Sequence, residues 1–244
     1  MIRIAQRKSR LGVVTIFQTK RTGSFIYSQG GFIQSEADGN GTSLASYIHA
    51  IYGLLSQADS QNILMIGCGG ATLATMLSRK GSNVTVVDVN PQAFLLARKY
   101  FGLPSGVTCR VADGCEFLLS DTRVYDAIVL DAFAGDRIPA HMRSSAFFRL
   151  VRTRLNRRGC MFVNVHVMHD LDNAPDRMST TMARVWPHVR LLDAQSYTNR
   201  NAIVMAGAVL CLKKPVLYLR PQISADEVDT ELKTMQFRSW RTQS

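Results

Sequence analysis

From residue 62 onward, short, densely apolar runs alternate with longer amphipathic ones. The runs at 63–66, 84–88, 107–111, 126–131 and 160–165 are rich in Ile, Val and Leu, as suits strands buried on both faces. Between them, 70–80, 91–101 and 141–156 repeat apolar residues at helical spacing. Strands alternating with helices predict an α/β fold with a doubly wound, mostly parallel sheet. Ahead of this unit, β-rich runs at 13–17 and 24–27 are separated by "QTKRTG", and a third short run follows Gly30-Gly31. They predict a small antiparallel β subdomain over 1–41.

Helix boundaries carry their own signals. Thr42 or Ser43 is placed to cap a helix running to about Leu55, with Leu44, Ile48, Ile51 and Leu55 on one face. Asn90-Pro91 is a capping residue followed by a proline that loses no needed N–H. In 141–156, Phe147, Val151 and Leu155 recur at i+4, and Arg152, Arg154, Arg157 and Arg158 gather where a helix C-terminus favours cations. Beyond 171 the pattern predicts a helix over 176–185, a strand near 189–192 and another in "AIVMAGAVLCL". The main domain is therefore placed at 42–212, and 213–244 is a polar tail without clear periodicity.

Composition narrows the classes. A chain of 244 residues, 46% hydrophobic, can bury one sizeable core with a small appended unit. No apolar run approaches the roughly 18 residues of a membrane span, and "MIRIAQRKSRLG" lacks a secretory core, so a soluble, cytoplasmic protein is expected. The five cysteines are scattered and show no CxxC spacing, which points to reduced thiols rather than disulfides or zinc. A net charge of +11 would draw acidic partners such as nucleic acid. The basic residues are dispersed and lack interleaved aromatics, which favours a solvated surface over a nucleic-acid site.

The candidate chemistry sits where the strands end. "NILMIGCGGATLATML" is a strand, a turn with Gly67, Gly69 and Gly70, and a helix start whose free N–H groups could meet a ligand. Such a turn can also serve close strand–helix packing alone. Asp88 ends the next strand, a place from which an acid accepts hydrogen bonds from ribose hydroxyls. Asp113 follows the third strand, either reading an adenine amine or capping the helix "GCEFLL", and Asp131 closes the apolar run "AIVL". Acids phased with three successive strands lie on the edge where open α/β sheets bind ligands. Asp136, in the Gly-bearing loop beyond, either contacts substrate or forms the turn. His166 and His169 lack a third ligand, so no metal is expected; His141 reads as a first-turn helix residue.

The motifs "GGFIQS", "ILMIGCGG", "VVDVNP", "VADGCEFL", "YDAIVLDAF" and "IPAH" together resemble the spermidine synthase family, including its divergent bacterial members. That resemblance implies a class I methyltransferase-type Rossmann fold with a small N-terminal β-domain, usually a homodimer. It also implies transfer of an aminopropyl group from decarboxylated S-adenosylmethionine to a polyamine acceptor. By position in the motifs, Gln34, Gly67, Gly69, Asp88 and Asp113 would hold the nucleoside, and Asp131 would serve the amine nucleophile. Tyr47 is an approximate match to a ligand-contacting tyrosine. Apolar Met65 also fits, since many methyltransferases carry an acid there. Two departures stand out: Gly70 occupies the place of an Asp in the family's Gly-rich loop, and "DAFAGD" replaces a loop usually like DSSDP. They leave open an S-adenosylmethionine-dependent methyltransferase, and the charge leaves open a non-catalytic or nucleic-acid-associated member.

Overall fold

The computed structural model, which describes residues 1–195 and 197–241, contains two sheets. The first is a four-stranded antiparallel meander, β1 (Ile2–Ser9), β2 (Gly12–Gln18), β3 (Phe25–Gln29) and β4 (Phe32–Ala37). Sequence patterning missed β1. Its Arg3, Arg7 and Lys8 interrupt the apolar alternation, and charge on an edge strand is what discourages edge-to-edge pairing.

The second sheet has eight strands. In chain order they are β5 (Asn62–Ile66), β6 (Asn83–Asp88), β7 (Thr108–Val111), β8 (Tyr125–Leu130), β9 (Leu155–Val167), β10 (Val189–Asp193), β11 (Arg200–Gly207) and β12 (Gln236–Arg238). Their spatial order is β12-β10-β11-β9-β8-β5-β6-β7. Strands β7 to β9 pair in parallel through β6, β5 and β8, whereas β11, β10 and β12 add antiparallel to β9. Helices cover both faces: α1 (Ser46–Gln57), α2 (Thr72–Arg79) and α3 (Pro91–Tyr100) on one, α4 (Gly114–Ser120), α5 (Ser145–Thr153) and α6 (Ala174–Ala183) on the other. Successive residues of β5 divide between them: Ile63 and Met65 join the first core, Leu64 and Ile66 the second.

Three local expectations change. The first helix begins at Ser46 after Ala45, without a side-chain cap. Ser43 Oγ instead accepts from the Ala45 N–H at 3.1 Å, and Leu44 lies outside the helix. The helix predicted over 141–156 is a 3-10 turn at Ala140–Arg143 followed by α5, capped by Ser144. It stops at Thr153, so Arg157 and Arg158 lie on β9 rather than at a helix end. Arg152 and Arg154 have specific acceptors, the carbonyls of Val185 and Leu118, which explains them better than a helix dipole. The third concerns the run from 202, whose strand ends at Gly207.

The tail is structured. Gln57 in α1 and Lys213 bond reciprocally, with Lys213 N–H donating to Gln57 Oε1 at 2.7 Å. Pro215 and Tyr218 pack so closely on Gly53 that a Cβ there would lie 3.1 Å from Pro215 Cβ. Helix α7 (Ala225–Thr234) then buries Val228 and Leu232 against α1, and β12 completes the sheet. Among the described residues no helix is long and apolar enough to cross a membrane.

Candidate active site

A cavity of about 700 Å³ opens between β4 and the carboxyl ends of the parallel strands. Gln34, Tyr47, Gly67, Gly69, Asp88, Asp113, Asp131 and Asp136 all line it. The structure thus brings together every site residue expected from the sequence.

Gly67 and Gly70 show why the loop after β5 is glycine-rich. At Gly67, with φ of +103°, a Cβ would lie 2.1 Å from the Asp131 carbonyl oxygen, so no side chain fits between the two strand ends. At Gly70 a Cβ would meet Ser35 Cβ at 2.9 Å and the Phe101 ring at 3.0 Å. The amides of the turn itself, ahead of the helix start at Thr72, are largely spoken for. Gly67 N–H donates to the Val87 carbonyl at 2.8 Å, Cys68 N–H to Asp88 Oδ2 at 2.8 Å and Gly70 N–H to Ser35 Oγ at 3.0 Å. Ser35 therefore ties the small sheet to the loop, a role invisible in the sequence.

Asp88 accepts the Asn90 N–H through Oδ1 at 2.7 Å as well as that of Cys68. Burial raises its pKa above the usual carboxylate value, and the two backbone donors pull the other way. Each oxygen has acceptor capacity beyond that one bond, and Asp88 lines the cavity. Asp113 caps α4, with Oδ1 accepting from Cys115 N–H at 2.8 Å. Its Oδ2 lies 3.0 Å from His141 Nε2, so His141 belongs to the site wall rather than only to a helix turn.

Asp131 stands just past β8. Its Oδ1 accepts from Asn164 Nδ2 at 2.7 Å and its Oδ2 from the Tyr47 hydroxyl at 3.4 Å. Asn164 is buried on β9 and accepts in turn from Asn201 Nδ2 on β11 at 2.9 Å. The carboxylate is thus aimed by side chains from α1 and β9, not bound up by loop N–H groups. Burial raises its pKa, partly offset by these two donors, while burial and the adjacent Asp131 charge raise that of Tyr47. Tyr47 therefore stays a donor, and Asp131 is an ionisable acceptor with strengthened basicity.

The electrostatics are lopsided. In a chain of net charge +11 the cavity lining includes Asp88, Asp113, Asp131 and Asp136 but no Lys or Arg among the described residues. Asp136 is the outlier, 43% exposed and 3.9 Å from Arg137 Nε. Among the described residues no group of three His, Cys, Asp or Glu side chains could hold a metal ion.

Comparison with known proteins agrees with this architecture. A methyltransferase domain family matches residues 63–159. The chain is 33% identical over 150 residues to a probable polyamine aminopropyl transferase of Bifidobacterium longum, covering 59% of this chain and 34% of that protein. It is 33% identical over 126 residues to the polyamine aminopropyltransferase of Neisseria meningitidis, covering 49% of this chain and 48% of the relative. The chain thus spans about half or less of these curated relatives. A probable spermidine synthase from Corynebacterium glutamicum superposes with a TM-score of 0.75 at 22% identity, over 96% of this chain and 90% of the other. The chain is thus similar to polyamine aminopropyltransferases over about half its length, and its fold, a methyltransferase-type domain with a small N-terminal sheet, is the one seen in the spermidine synthase structure.

Proposed function

We propose that this protein transfers the aminopropyl group of decarboxylated S-adenosylmethionine to an amine. The observation that carries this reading is a cavity lined by four aspartates and, among the described residues, by no Lys or Arg. The donor bears a sulfonium and a terminal ammonium, both of which suit such a lining, whereas the carboxylate of S-adenosylmethionine would face aspartates with no Lys or Arg to meet it. Similarity to polyamine aminopropyltransferases supports the same choice.

In this reading Gln34 and Asp88 hold the ribose and Asp113 the adenine amine. Asp131, oriented by Asn164 and Tyr47, binds the acceptor ammonium and takes its proton directly or through water. The freed nitrogen lone pair forms a bond to the propyl carbon next to sulfur as the C–S bond breaks. Its electron pair returns to sulfur, and neutral methylthioadenosine leaves.

Turnover with each donor and a panel of amines tests the proposal. Methylthioadenosine should form from the decarboxylated donor, and Asp131→Asn should lower kcat by about 10²–10⁴-fold while still binding methylthioadenosine, as loss of a general base does. S-adenosylhomocysteine from the carboxylated donor, without methylthioadenosine, would establish methyl transfer instead.

A further inference from the structure

A second cavity, of about 500 Å³, adjoins the first, and the two share Phe133, Asp136, His166 and Met168 in their linings. Its charge is of the other sign. Arg137, Arg143 and Arg177 line it, together with Asp136 and Asp172. The two aspartates are engaged: Asp136 lies 3.9 Å from Arg137, and Asp172 accepts the backbone N–H of Ala174 at 2.9 Å and of Met168 at 3.1 Å. Arg143, closing the 3-10 turn, and Arg177, on α6, form no salt bridge among the described residues. Two exposed arginines from separate elements thus line a recess that adjoins the cavity of the proposed amine site.

We infer that the acceptor is a primary amine carrying a distal anionic group, carboxylate or phosphate, which the second cavity receives. The inference rests on the aminopropyl-transfer reading and narrows its substrate class. Three arginines outnumber two aspartates in this recess, so the second ammonium of a long α,ω-diamine would meet a net positive lining. An anionic oxygen group there gains the charge-assisted, fork-shaped contacts that Arg provides. Asp136 sits at the junction, where the lining changes from acidic to basic.

The experiment measures kcat/KM for methylthioadenosine release with ω-aminocarboxylates of four to eight carbons, α,ω-diamines of the same lengths and aminoalkyl phosphates. The protein is wild type or the double variant Arg143→Gln/Arg177→Gln, neither residue lying in the Asp131 cavity. In the wild type, one anionic series should exceed the matched diamines by about tenfold or more, the two arms telling carboxylate from phosphate. The double variant should lose about tenfold on that series while keeping or improving diamine turnover. Preference for diamines, or equal turnover of the anionic series in both proteins, overturns the inference and leaves aminopropyl transfer standing. Methylthioadenosine from none of the acceptors overturns transfer itself, and the inference falls with it.

Discussion

In the parallel half of the large sheet, Asp88 and Asp131 face a cavity. They are held by amide, carboxamide and hydroxyl donors with no cation beside them, and burial raises both pKa values. In the antiparallel half the same side chain does the reverse. Asp193 on β10 accepts from Arg200 Nε at 2.7 Å and Arg238 Nε at 2.9 Å, and Asp176 on α6 from Arg238 Nη1 at 2.9 Å. Burial opposes ionisation there too, but the arginines outweigh it and both carboxyls titrate below the ordinary range. Ion pairing fastens β12, and with it the tail, to the sheet, whereas missing cations leave the other acids available to a ligand.

The largest effect should come from breaking the pairing. Asp193→Ala leaves Arg200, whose side chain is only 3% exposed, without its buried counter-charge, and should cost about 3–5 kcal/mol in urea unfolding. Next is the ligand side, where Asp88→Ala should weaken methylthioadenosine binding by about 1–3 kcal/mol in calorimetry, the scale of a lost charged hydrogen bond. Equal affinities would remove Asp88 from the ribose.

The smallest effect, but the sharpest contrast, is the sign of the pH response. The stability Asp193 supplies is complete above its unfolded pKa of about 3.9 and is lost as pH falls through its depressed folded value. The difference between wild type and Asp193→Ala should therefore shrink in acid. For Asp131 the folded pKa is raised, so its charge destabilises the fold above that value and is relieved as pH falls. Asp131→Asn should be more stable than wild type at neutral pH, with the gain vanishing in acid, as unfolding curves across pH will show.

How much of this was legible depends on how far each feature is local. The parallel strands read clearly because burial on both faces leaves unbroken apolar runs, and the acids read clearly because they are phased with those runs. Helix α5 was overextended because Leu155 continues the i+4 spacing of Phe147 and Val151, although it opens β9. Strands β1 and β12 were missed because Arg3, Arg7 and Arg238 occupy what patterning treats as surface. Asn164, His141 and Ser35 were missed for another reason. Each acts on a group 33, 28 or 35 residues away, respectively, and only the fold closes those distances.

Gly70 illustrates how a binding loop becomes entrenched. Its small size is matched by Ser35 on one side and by the fully buried Phe101 on the other, and Phe101 itself packs edge-on against Phe25 and Tyr27 of β3. A lone Gly70→Asp substitution would thrust a Cβ into both neighbours, so an acid fits at this place in the loop only if positions 35 and 101 make room. The order of substitutions open to this loop is thereby constrained: an acid at position 70 depends on room made by Ser35 of the small sheet and by Phe101, a ring outside the cavity lining.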